Sequence, residues 1–118
     1  MKVQIADDHG KYRSSLRKAL ERHPDIEVIA EAENGKVAVD QARENRPDVV
    51  LMDINMPVMD GIEATRQLVL LFPDLPVIML SVHEDVEYRQ MAFRVGASDY
   101  LSKDSNHEDI LKAIHQYG

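Results

Sequence analysis

Two hydrophobic patterns alternate five times along the chain: short apolar runs, and longer stretches where apolar residues recur every third or fourth position. Short runs with β-branched residues predict strands, and the 3.6-residue rhythm predicts helices. The runs are Val3-Gln4-Ile5-Ala6, Glu27-Val28-Ile29-Ala30, Val49-Val50-Leu51-Met52, Pro76-Val77-Ile78-Met79-Leu80 and Tyr100-Leu101-Ser102. Strict alternation of strand and helix is the mark of βαβ units, so the chain is expected to form an α/β fold around a parallel sheet.

Between the runs, Tyr12, Leu16, Ala19 and Leu20 form the stripe of a first helix ending near His23-Pro24. Asn34-Gly35 opens a second, with Ala38 and Ala42 inward, that stops before Pro47. Asp60 is a good N-cap for a third, which buries Ile62, Thr65, Leu68, Val69 and Phe72 before Pro73. A fourth runs from about Asp85 to Val95 and stops at Gly96. For the fifth, Ser105 and Glu108 have capping-box spacing, and Ile110, Leu111 and Ile114 make the stripe. Helix four is unusual. Tyr88, Met91, Ala92 and Val95 share one apolar face, while Val86 and Phe93 sit on roughly the opposite side. One sheet cannot cover both, so one face is left for a partner.

Four runs end in polar side chains: the first in Asp7-Asp8, the third in Asp53, the fourth in Ser81, the fifth in Lys103. Ligands of parallel α/β sheets bind at the carboxyl ends of the strands. If the runs are neighbours, three carboxylates, a hydroxyl and an ammonium share one crevice. Two like charges ~5 Å apart repel by roughly 3 kcal/mol at an effective dielectric near 20, so the site needs protons or a cation. All-oxygen donors in an incomplete shell suit Mg²⁺. With the cation bound, Asp53 can stay ionised and attack phosphorus, giving an aspartyl phosphate whose oxygens Ser81 and Lys103 could contact.

Composition trims the alternatives. At 118 residues and 44% apolar content, residues 1–118 read as one domain with one core. There is no cysteine, no signal-like start and no apolar stretch near the ~20 residues of a membrane helix, so a cytoplasmic protein away from the membrane is expected. A net charge of -7 argues against direct nucleic-acid binding by this segment. The five histidines lack metal-ligand spacing, and all but His83 read as surface residues; His83, two positions past Ser81, is placed to overlook a phosphoryl group. Lys11, Arg13, Arg17, Lys18 and Arg22 read as either a solvated face of the first helix or a partner-docking face.

Together, Asp7-Asp8, Asp53 with Met56-Pro57 and Asp60-Gly61, Ser81, and Tyr100 three residues before Lys103 resemble the receiver domain of bacterial two-component response regulators. Asp7-Asp8-His9 with Arg13, and Lys103 followed by Asp104, resemble its NarL/LuxR-type subfamily, although Gly10 stands where proline is frequent. The resemblance implies a flavodoxin-like, doubly wound five-stranded parallel sheet in the order 2-1-3-4-5 with five helices. It implies phosphorylation of Asp53 by a sensor histidine kinase, with Mg²⁺ on Asp8, Asp53 and the backbone carbonyl of Asn55, and Asp7 acting through water. By the same carry-over Ser81 and Lys103 contact the phosphate, Ser81 and Tyr100 are the switch pair, and Asn55 and His83 tune dephosphorylation. The expected output is a homodimer or a C-terminal helix-turn-helix DNA-binding domain engaged from helix four to helix five, with helix one plus helix five as the competing surface.

Two rivals share parts of the pattern. A flavodoxin-like FMN carrier needs a Ser/Thr/Gly-rich phosphate loop after the first strand, where Asp7-Asp8 would repel phosphate. A haloacid-dehalogenase-type phosphatase wants a general-acid Asp two residues after its nucleophile, and that position is Asn55. The chain is expected to catalyse only its own phosphorylation and slow dephosphorylation.

Overall fold

Each apolar run becomes a strand, and the three central ones are covered on both faces. The computed structural model describes residues 1–118. In chain order the elements are β1 Lys2–Ala6, α1 Gly10–Leu20, β2 Glu27–Ala32, α2 Gly35–Asn45, β3 Val49–Met52, α3 Gly61–Leu71, β4 Val77–Ser81, α4 Val86–Arg94, β5 Asp99–Ser102 and α5 His107–Tyr117. The strands are all parallel in the order β2-β1-β3-β4-β5.

Side-chain alternation divides the core into two layers. Val50, Met52, Val77 and Met79 face α2, α3 and α4, meeting Ala38, Ala42, Ala64, Leu68 and Ala92. Their neighbours Val49, Leu51, Ile78 and Leu80 point the other way, onto Leu16 and Leu20 of α1 and Ile110 and Ile114 of α5. Fully burying such a side chain is worth about 1.5–3 kcal/mol, which is why the register is fixed: a slip of one residue would exchange the layers.

The chain winds outward from β1 to β2, then crosses to β3 on the other side. That reversal opens a crevice above the carboxyl ends of β1 and β3. Register pairs Ala6 with Met52, so Asp7 and Asp53 are the next residues on adjacent strands. Main-chain bonds hold both there: Asp7 N–H donates to Ala32 O and Asp53 N–H to Ala6 O, each at 2.9 Å.

Several helix details depart from expectation. Asn106, not Ser105, caps α5, its side chain accepting from Asp109 N–H at 2.9 Å, so the Ser105/Glu108 capping box is corrected by one residue. Ala113 joins Ile110 and Ile114 in the buried stripe, with Leu111 only partly covered. In α3, Thr65 and Leu68 are buried, whereas Ile62, Val69 and Phe72 lie at the edge of the core. In α4 only Ala92 is buried; Met91 is 44% exposed and leaves the apolar face assigned to it, because this helix packs through a single small residue.

Candidate functional site

The crevice is built by strand ends and one rigid loop. Residues 54–60 leave β3, and Asp60 caps α3 by accepting from Glu63 N–H at 2.8 Å. Gly61 N–H donates to Ile54 O at 2.7 Å, folding the loop back on its own start. A Cβ at Gly61 would come within 1.8 Å of Asp53 O, and one at Gly35 within 2.5 Å of Met59 O. The loop is thus wedged between two glycines, and only the missing side chains allow it to seat beneath Asp53.

Asp7 and Asp53 are buried, while Asp8 opens to solvent. Lys103 extends from the end of β5, its main-chain N–H bonded to Ser81 O, and its ammonium reaches to 2.7 Å from Asp7 Oδ2. It stands 3.4 Å from Asp53 Oδ2, close enough to attract it, yet that oxygen is buried without a hydrogen bond. Burial first, and the Asp7 charge second, raise the Asp53 carboxyl from 3.8 to about 6, against the pull of Lys103. An unpaired buried carboxylate oxygen facing two more carboxylates fits a cation, so the acidic cluster can bind a metal ion.

Ser81 is fully buried at the end of β4, and its Oγ accepts from His83 N–H at 2.9 Å, which leaves its own proton free to donate. Tyr100 is buried, and its hydroxyl donates to His83 O at 2.7 Å. The ring therefore lies inside, tied to the main chain two residues past Ser81. His83 lies at the mouth, its ring bonded to the Asn55 amide and stacked on Tyr88 of α4 with centroids 4.3 Å apart. Asn55 itself is exposed. All eight residues singled out in the sequence end at or beside this crevice.

Four residues have larger parts here than the sequence suggests. His9 is a surface residue as expected, its side chain 65% exposed, and in addition its Nδ1 stands 3.1 Å from Asp7 Oδ1 and 3.3 Å from Asp8 Oδ1. Its adjacency to Asp7-Asp8 was the available signal. Tyr12, read as a core position of α1, lies under Lys103, the ammonium 4.8 Å from the ring centroid; desolvation and then the Asp7 charge push its hydroxyl up to about 12. Arg13 reaches Asp7 O at 2.5 Å and Glu31 at 3.0 Å, and Arg17 reaches Glu31 at 2.5 Å. Those two arginines are therefore not a free solvated face but a brace between α1 and β2.

Residues 3–115 match the family model described as the response regulator receiver domain. The chain is 40% identical over 114 residues to the transcriptional regulatory protein DegU of Brevibacillus brevis, covering 97% of this chain and 48% of that protein. It is likewise 40% identical over 114 residues to LnrK of Bacillus subtilis, a transcriptional regulatory protein, covering 97% and 52%. Among solved structures, the signal receiver domain of the response regulator NarL from Mycobacterium tuberculosis superposes with a TM-score of 0.93 at 30% identity, covering 98% of this chain and 93% of that one. The chain spans about half the length of these curated relatives. No helix is long and apolar enough to cross a membrane.

Proposed function

The chain belongs to the response regulator receiver family of two-component signalling, and from that membership we propose that Asp53 is its phosphoacceptor. The observation that carries this reading is the buried Asp53 Oδ2, unpartnered by any hydrogen bond and 3.4 Å from an ammonium already bound to Asp7. Asp53 attacks the phosphorus of a phosphohistidine on a sensor kinase; the P–N bond breaks, its electron pair leaves with the imidazole, and an aspartyl phosphate remains. Lys103 balances the charge of the new group, and the free Ser81 proton is available to one of its oxygens. Mg²⁺ held by Asp8, Asp53 and the Asn55 carbonyl, with Asp7 through water, would neutralise phosphoryl oxygens and the crowded carboxylates. With the Asn55 amide where a general acid would be needed for turnover, hydrolysis is slow. The domain acts as a switch rather than a dedicated enzyme.

His83 supports a route for the readout. Its N–H is held by Ser81, its carbonyl by Tyr100 and its ring by Tyr88. Drawing the Ser81 hydroxyl onto a phosphoryl group loosens the first of these and shifts the anchor of the other two. Since Tyr100 is already inside, the two packings of β5 and α4 differ by movement of Tyr100 and Tyr88 away from this arrangement. The outer side of α4 is ready for a partner, with Val86 62% and Phe93 40% exposed and Arg89 lying over the Phe93 and Tyr100 rings. We assign homodimerisation, or docking of a C-terminal DNA-binding domain in a cytoplasmic regulator, to the surface from α4 to α5. Lys11, Lys18 and Arg22, which form no ion pair, support kinase docking on α1.

Incubation with acetyl phosphate and Mg²⁺, read by intact mass, tests the assignment. One stable phosphoryl group per chain, absent in Asp53→Asn, is expected. Equal labelling of that variant refutes it, steady phosphate release indicates a phosphatase, and a bound yellow chromophore indicates a flavin carrier.

A further inference from the structure

His9 plays no part in the chemistry above, yet its ring is aimed at the same point as the carboxylates. Its Nδ1 lies 3.1 Å from Asp7 Oδ1, 3.3 Å from Asp8 Oδ1 and 3.9 Å from Asp53 Oδ2. Donors bound to one ion at about 2.1 Å in an octahedron stand about 3.0 Å apart when adjacent and about 4.2 Å apart when opposite. All three separations fall in that interval, and the four donors together lie within 4.8 Å of one another.

Three further observations bear on the cluster. The His9 main-chain N–H donates to Asp7 Oδ1 at 2.8 Å, so a local turn holds the His9 backbone beside the carboxylates. Asp53 Oδ2, buried and without a hydrogen bond, is the fourth corner of the cluster. Lys103 binds the other oxygen of Asp7, Oδ2, at 2.7 Å and stands 3.5 Å from His9 Nδ1, the one cation already beside that nitrogen.

We propose that His9 Nδ1 is a metal ligand, adding an imidazole to the oxygen donors of the site so that it prefers late first-row divalent cations to Mg²⁺. Carboxylate and carbonyl oxygens suit Mg²⁺, whereas imidazole suits Ni²⁺, Cu²⁺ and Zn²⁺, and affinity at such mixed sites climbs along the series toward Cu²⁺. His9 sets which cation is held; Asp8 and Asp53 set that one is held at all. The inference rests on reading this crevice as the cation site of the receiver.

The test is calorimetric titration of the 118-residue chain with MgCl₂ and CoCl₂, with the visible absorption of bound Co²⁺ as a second readout. Wild type should bind Co²⁺ at least about tenfold more tightly than Mg²⁺, and His9→Ala should remove about tenfold of the Co²⁺ affinity while changing that for Mg²⁺ less than about twofold. The Co²⁺ spectrum should change in His9→Ala and stay the same in His115→Ala, which removes the imidazole beside Asp25. Co²⁺ affinity that is equal in wild type and His9→Ala, or lost only in His115→Ala, overturns the proposal. Failure of the phosphoacceptor reading is distinct: no Mg²⁺ binding and no label on Asp53, with Co²⁺ binding still dependent on His9, would leave this inference standing alone.

Discussion

Replacing Asp53 with Asn should stabilise the metal-free domain at neutral pH and leave it unchanged in acid. The carboxyl rises from 3.8 to about 6 on folding, chiefly because burial disfavours its charge and secondly because Asp7 is close. Below pH 3.8 both the folded and unfolded forms carry the proton, so the site costs nothing. Between 3.8 and about 6 the unfolded chain gives up its proton first, so stability falls as pH rises; above about 6 the full penalty is present. At about 1.4 kcal/mol per decade of proton affinity the bound is about 3 kcal/mol, and screening by water at the crevice mouth brings it to about 1–2 kcal/mol. The isosteric amide removes that penalty. Urea unfolding of wild type and Asp53→Asn in EDTA, at pH 7.5 and near pH 4, measures it as a difference in which titrations shared by both chains cancel. The variant should gain about 1–2 kcal/mol at the higher pH and almost nothing at the lower. Mg²⁺ should narrow the gap by stabilising wild type. A variant less stable than wild type at pH 7.5, or an equal gain at both pH values, would falsify the strained-carboxylate argument.

The same physics predicts further outcomes. Lys103→Met removes the ammonium 2.7 Å from Asp7 and strands two buried carboxylates, so the urea midpoint at pH 7.5 should fall by an amount worth about 3 kcal/mol, with the deficit shrinking as pH drops and Asp53 takes up its proton. Gly61→Ala drives a methyl to 1.8 Å from Asp53 O, so the loop must unseat; thermal unfolding should show a loss of at least about 2 kcal/mol, and phosphorylation should fall even though Asp53 is intact. Asn106→Ala should cost about 1 kcal/mol by removing the cap on Asp109 N–H, while Ser105→Ala stays within about 0.5 kcal/mol; the reverse ranking would restore the capping box placed one residue earlier. Glu31→Gln weakens the brace to Arg13 and Arg17 and should lower stability by about 1 kcal/mol, less at high salt, as read by denaturant titration.

Hydrophobic rhythm determined the five strands and five helices, because each strand and each helix had enough consistent apolar positions to show its period. The polar residues ending those runs likewise marked Asp7, Asp8, Asp53, Ser81 and Lys103, since a strand that stops in a charge must leave the core there. Period cannot say where a side chain goes once it passes the end of its element. Only the tertiary structure slid Tyr12 beneath Lys103 and tied Arg13 and Arg17 to Glu31, contacts made between α1, β2 and the end of β5. It also decided Met91 of α4, which the apolar stripe set inward with Ala92 and packing through Ala92 left exposed, whereas Val86 and Phe93 lie outside as their place in the sequence pattern indicated. Local sequence fixes what an element is, because that energy is summed along the element itself. Which of its residues meet a partner depends on how closely two elements approach, and that is set by side-chain volumes contributed from distant parts of the chain.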